Sequence, residues 1–252
     1  MRISRRELLL QSAKAGAGGG LLQKSNGLLA LPRQAQETGK KLRIVVTGGH
    51  PGDPECGCGG TIARYTDEGH EAILLYLNRG EGYCGQSDLK DCAKIRTAEA
   101  EKACEILKAR AVFATQYDGR AVVDAPHYEE FSRLLLEQKP DVVFTHWPTD
   151  AHRDHRATSA LVLDAWLSSK KKFALYYYEV AEDTLRFSAT DFADTTRVAA
   201  RHRAACYAHA SQQPDKWFPL QVEMTRYHGL QNGWTQAEAF FRVSQQERNV
   251  VP

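Results

Sequence analysis

From Lys41 onward, short apolar and β-branched runs alternate with longer amphipathic stretches. Residues 42–47, 72–77, 112–114, 141–145 and 173–180 read as buried strands, each too short and too uniformly apolar for a half-exposed helix. Between them, residues 59–67, 93–108, 128–138 and 156–167 carry helical periodicity, the second with Ile95, Ala98, Cys104, Ile106 and Leu107 available for its apolar face. Gly69, Lys139 and Pro140 punctuate helix ends. Strand and helix in strict alternation predict a mostly parallel sheet covered on both faces, an α/β Rossmann-like three-layer sandwich. The tail after Thr184 is mixed, with helix expected over 195–210 and 224–232. Neither an internal repeat nor a low-complexity linker interrupts the chain, so one domain is expected from residue 40 to 252.

The first forty residues follow a different pattern. Arg2, Arg5 and Arg6 precede a weakly apolar stretch, 8–31, rich in Ala, Gly and Leu. The tetrad Ser4-Arg5-Arg6-Glu7 before Leu8-Leu9-Leu10 resembles a twin-arginine export signal, assigned to residues 1–36 and implying a periplasmic or extracellular protein. An amphipathic N-terminal helix is the alternative. Gln11, Lys14, Gln23, Lys24 and Asn26 interrupt the stretch, so it does not make a stable membrane span, which needs about 20 nearly continuous apolar residues.

Composition narrows the function further. With 42% apolar and 25% charged residues, and a net charge of +2 spread over the chain, no clustered basic surface for nucleic acid is expected. Among six cysteines, Cys84 and Cys92 share one polar loop and can close a short bridge in an oxidising compartment. Cys104 reads as a core residue. Cys56-Gly57-Cys58 lacks the second pair of a zinc motif, and Gly57-Cys58-Gly59-Gly60 lacks the third glycine of a dinucleotide loop.

Two polar clusters each follow a buried strand: His50-Pro51-Gly52-Asp53-Pro54-Glu55 and Asp150-Ala151-His152-Arg153-Asp154-His155. Loops at the carboxyl ends of parallel strands meet over one crevice where strand order reverses. Two imidazoles and a carboxylate there form a facial N/N/O set with open positions, as in catalytic zinc sites, and other divalent transition metals fit the same donors.

These clusters resemble the His-Pro-Asp-Asp-(Pro)-Glu and His-x-Asp-His motifs of the LmbE-like, or PIG-L-type, zinc-dependent N-deacetylases. Gly59-Gly60-Thr61, Arg96, Glu99 and His209-Ala210-Ser211-Gln212 extend the resemblance over nearly all of 41–243. It implies hydrolysis of an N-acyl group, usually acetyl, from a small amino sugar or glycoconjugate. It implies Zn2+ on His50, Asp53 and His155, His152 steadying the oxyanion with Asp154 orienting it, and Arg96 in the substrate pocket. The departure is Gly52, which stands where the family has the aspartate that serves as general base. A general base is typically worth about 10²–10⁴-fold in rate. Asp150 is the nearest replacement in the same loop, and Glu55 is a second candidate unless it caps the next helix. The alternative is a carbohydrate-binding protein that keeps the metal cradle without turnover. Glu81, in a glycine-rich loop, and Trp147, beside the second motif, are candidates to touch substrate, although Glu81 also fits a surface loop and Trp147 also fits packing on the sheet edge.

Overall fold

The computed structural model describes residues 41–85, 91–170 and 172–243; the expected export signal at 1–36 lies outside them. In chain order the elements are β1 (Arg43–Gly48), α1 (Asp53–Asp67), β2 (Glu71–Tyr76), α2 (Cys92–Leu107), β3 (Ala109–Phe113), α3 (Ala125–Glu137), β4 (Val142–His146), α4 (Arg153–Ser168), β5 (Ala174–Tyr178), β6 (Asp191–Asp194), α5 (Ala199–Tyr207), α6 (Phe218–Asn232) and β7 (Ala237–Arg242). One seven-stranded sheet runs in the order β3-β2-β1-β4-β5-β7-β6. β1 to β5 are parallel, and β7 is antiparallel to both its neighbours. This is the expected α/β layering with an antiparallel edge.

Successive side chains of a strand point to opposite faces, and β1 shows the result. Ile44 and Val46 join Leu74, Tyr76 and Phe144 on the face covered by α1 and α2, with Ile62 and Leu107 packed on them. Val45 turns the other way, with Ile73, Leu75 and Val143, onto Phe131 of α3 and Leu161 and Trp166 of α4. Burial on both faces explains why these strands read as unbroken apolar runs.

The first helix begins six residues earlier than its glycines suggest. Gly52 turns the chain at φ +108°, Pro54 occupies the first turn, and the Glu55 carboxylate accepts the Gly52 N–H at 3.1 Å. Glycine weakens a helix interior, but here it buys closeness. A Cβ on Gly57 would overlap the Tyr178 ring, and Cβ atoms on Gly59 and Gly60 would come within 2.6 Å of His202 and 2.5 Å of Thr195. Cys56 and Cys58 are buried on the same helix, and Cys104 sits in the core as expected. Cys84 and Cys92 form a disulfide. The tail holds what periodicity did not show: β7, with Ala237, Ala239 and Phe240 buried, closes onto β5 and carries β6 at the edge. No helix among the described residues is long and apolar enough to cross a membrane.

Gly57→Ala is expected to lower the unfolding free energy by about 1–3 kcal/mol through overpacking, outweighing a helix-propensity gain of up to about 1 kcal/mol. A denaturation midpoint equal to wild type would refute this account of the glycine-rich helix.

Candidate metal centre

β1 lies between β2 and β4, so the strand order reverses at the β1/β4 junction. The loops leaving these two strands carry the two polar clusters. α1 and α4 then begin beside each other, one with Asp53 in its first turn and the other with Asp154 and His155. The architecture therefore converts two distant segments into one site at the carboxyl edge of the sheet.

Asp53 is its hub. Its Oδ2 accepts the His50 backbone N–H at 2.8 Å and lies 3.2 Å from both His50 Nδ1 and His155 Nε2. Donors bound to one tetrahedral zinc at about 2.0–2.1 Å lie roughly 3.3 Å apart, so each of the two imidazoles stands at coordination distance from the shared oxygen; the donor atoms of His50, His152 and His155, and those of Asp53, His146 and His155, also lie within 4.8 Å of one another. The far nitrogen of each ring is held by carboxylate. His50 Nε2 faces Asp154 Oδ2 and Asp118 Oδ1, each at 3.1 Å. His155 Nδ1 faces Asp150 Oδ1 at 3.0 Å. Carboxylates behind ligand imidazoles fix ring orientation and tautomer. The residues present thus fit a divalent metal.

The charge balance says the same. Burial opposes a positive His50, yet Asp53, with Asp118 and Asp154, outweighs it and raises the pKa well above the ordinary imidazole value. His155 goes the same way against its own burial, to about 9, through Asp53 and Asp150. For Asp53, burial is outweighed by His155 and His50, which hold its pKa well below the ordinary carboxylate range. Without a metal, protons supply the positive charge that this ring of carboxylates requires.

His146 also approaches Asp53 Oδ2, at 3.2 Å, and stacks on His155 with ring centroids 3.9 Å apart. Its Nε2 accepts the Gly49 N–H at 3.0 Å, which takes the lone pair a metal needs. Burial, then the neighbouring His155 charge, lowers its pKa to about 4. We read it as support for His155.

The cleft over Asp53, about 290 Å³, is lined by His50, Gly52, Arg96, Asp118, His152, His155, His209 and, towards its rim, Tyr83, Gln212 and Trp217, among others. Several expected residues stand elsewhere. Asp150 lies behind His155, its carboxylate accepting the His152 N–H at 2.8 Å and the Thr184 hydroxyl at 3.1 Å; it positions the site and does not reach the cleft as a base. Glu55 is committed to its helix cap, the Tyr76 hydroxyl at 2.7 Å and His209 at 3.0 Å. The Asp154 carboxylate orients His50, not His152; the Asp154 backbone N–H instead points at His152 Nδ1, 3.2 Å away. Glu81 accepts the Arg79 and Asp118 N–H groups behind the cleft. Trp147 packs edge-on against Tyr177, Phe187 and Phe241 at the sheet edge. Arg96 does line the cleft, donating to the carbonyls of Pro51 at 2.8 Å and Tyr83 at 3.3 Å, and so pins the first loop.

The family model described as PIG-L, GlcNAc-PI de-N-acetylase, matches residues 45–166, a segment that contains both metal-site loops. Over that segment the chain matches the PIG-L family. A diacetylchitobiose deacetylase of Thermococcus kodakarensis is 25% identical over 217 residues, covering 75% of this chain and 78% of that protein. The structure of N,N'-diacetylchitobiose deacetylase from Pyrococcus horikoshii superposes with TM-score 0.74 at 20% identity, over 88% of this chain and 90% of that one. GalB, a 4-carboxy-2-hydroxymuconate hydratase of Pseudomonas putida KT2440, superposes with TM-score 0.72 at 20% identity, over 84% and 100%. The last two likenesses show the fold alone, which hosts more than one chemistry.

Sequence reasoning missed three residues of this site. Asp118 follows β3 in a loop without a motif, and only its pairing with His50 reveals it. His146 ends a strand that reads as core. Trp217 sits in the tail, where periodicity was weakest.

The surrounding carboxylates favour the protonated forms of His50 and His155 in the metal-free protein, and a metal needs both neutral. Zinc binding is therefore expected to release roughly two protons and to tighten as pH rises towards 9. Calorimetry in buffers of different ionisation heat measures this; binding without proton release would refute the assignment of these rings as ligands.

Proposed function

We propose that this chain is a metal-dependent amide hydrolase that removes an N-acetyl group from a small amino sugar or glycoconjugate. The observation that carries the reading is the pair of carboxylate-backed imidazoles, His50 and His155, each 3.2 Å from the same Asp53 oxygen in an open cleft. The PIG-L family match and the diacetylchitobiose deacetylase relative support the substrate class. A bound divalent metal, zinc in the first instance, would polarise the amide carbonyl and acidify water.

The chain's own residues do the rest. His152 caps α4 with its Nδ1 accepting the Asp154 N–H, which leaves the proton on Nε2. Burial, followed by the charges of His50 and His155, lowers the His152 pKa, which favours the neutral ring that donates from Nε2. A fixed N–H beside the carbonyl oxygen stabilises the charge that develops there. Arg96 keeps Pro51 in place and with it the loop that presents His50. Trp217, tied to the Gln212 carbonyl at 3.1 Å, offers the aromatic surface for a sugar ring that Trp147 does not.

We also propose export. The arginine pair of the first residues motivates it, and the Cys84–Cys92 disulfide is in keeping with an oxidising compartment.

A second reading is favoured by Gly52. A saccharide-binding protein would keep the cradle and lack the base. The two readings separate on one experiment. Zinc-loaded protein is expected to release free amine from N,N'-diacetylchitobiose, chelation to abolish release, and Asp53→Ala to lower kcat/KM by about 10³-fold or more, the scale of several kcal/mol of metal assistance. Saccharide binding with no amine released, or full turnover in Asp53→Ala, would defeat the hydrolase reading.

A further inference from the structure

The wall of the cleft at Gly52 carries no carboxylate, and a histidine ring stands against it. His209, just beyond α5, is fully buried and lines the cleft together with Gly52 and Asp53. A Cβ built on Gly52 would lie 3.7 Å from the ring and 3.9 Å from its Nδ1. The next turn is anchored from α2, where Glu99 accepts both the Ser211 N–H and its hydroxyl at 2.7 Å.

The two nitrogens of this ring are unequal. Nε2 is 3.0 Å from Glu55 Oε1, and that carboxylate is itself fixed by the Tyr76 hydroxyl and the Gly52 N–H. A carboxylate accepts only, so the proton lies on Nε2. Nδ1 is then a bare lone pair, and among the described residues it has no hydrogen-bond partner. Buried polar atoms without partners are rare and call for an explanation. An imidazole whose far nitrogen is oriented by carboxylate and whose near nitrogen is free is the arrangement of a proton acceptor that activates a nucleophile.

We infer that His209 Nδ1 accepts the proton of the attacking water, in place of the carboxylate that Gly52 lacks, with Glu55 as the positioning residue that fixes its tautomer. The inference rests on the amide-hydrolase reading. The water oxygen bonds to the amide carbonyl carbon while one of its protons passes to Nδ1. When the C–N bond breaks, that proton goes to the departing amine nitrogen, and the remaining proton dissociates from the carboxylic acid product.

His209→Gln tests it, because the Gln amide can still donate to Glu55 and preserve a purely structural contact. The variant is expected to lose about 10²–10⁴-fold in kcat on N,N'-diacetylchitobiose, the usual worth of a general base, while KM and zinc stoichiometry by calorimetry stay at wild-type values. Long-range ¹H–¹⁵N spectra of the wild type, metal-free and zinc-loaded, are expected to show His209 protonated at Nε2 and bare at Nδ1. This readout needs neither turnover nor a folded variant. A proton on Nδ1, or an active wild type whose kcat His209→Gln matches within threefold, would overturn the inference alone. A zinc-loaded wild type that releases no amine would overturn the hydrolase reading and this inference with it.

Discussion

The Asp53 carboxylate sits where three imidazole rings converge, and the rest of the site follows from keeping it charged there. Its partners His50 and His155 are almost wholly buried, so the ionic contacts among them are only weakly screened by solvent. A buried charge persists only when paired and hydrogen-bonded. Asp53 meets both conditions, with the His50 N–H closing a turn onto it and the rings facing it. Its place in the first turn of α1 adds the positive end of the helix dipole. Around this centre, Asp150, Asp154 and Asp118 lie on the far sides of the rings. The site thus holds more buried negative charge than its neutral imidazoles can balance, which is a physical description of a cation site.

That charge pattern requires a rigid frame, and the sheet supplies it. β1 and β4 are hydrogen-bonded neighbours with Val46 opposite Phe144, so the loops leaving them emerge side by side. The helices that follow depart to opposite faces, α1 over the Ile44 side and α4 over the Val45 side. Each therefore delivers its N-terminal turn to the same edge from opposite directions. The glycines of α1 press that helix against Tyr178 and His202, and Tyr178 also reaches the Thr47 carbonyl at 2.8 Å beneath the site. Close packing and ligand placement are one constraint in this region.

What could be read from the chain divides along the same line. Buried parallel strands have a local signature, uniform apolar character, and β1, β2, β4 and β5 were legible because both their faces are covered. The two histidine clusters were legible because each follows such a strand directly. The start of α1 was not, since Gly57, Gly59 and Gly60 argue against a helix locally and are admitted only because a neighbouring element lies too close for a Cβ. β7 escaped because an antiparallel strand in a mixed tail, inserted between β5 and β6, has no strict alternation to betray it. Side-chain direction was the least legible quantity. Trp147, beside the second motif, reads as the sugar-facing candidate and Asp150 as the acid of its loop, while Trp217 and Asp118 carry no local signal. Only the fold says that Trp147 turns to the sheet edge while Trp217 faces the cleft, and that both acids stand behind the rings they serve.

Gly52 shows why a motif departure has to be judged in three dimensions. Its φ of +108° lies where a residue with a side chain is strained, so the missing carboxylate goes with a backbone turn that disfavours one. That turn also presents the Gly52 N–H to Glu55, and Glu55 in turn meets Tyr76 and His209. The residue that looks like a loss in sequence is therefore the first link of a buried chain running from helix cap to carboxylate to imidazole. Because 154 residues separate Glu55 from His209, no local pattern could join them. The proton-handling capacity of this cleft is a property of the fold at that wall, and a count of acidic residues in the motif does not measure it.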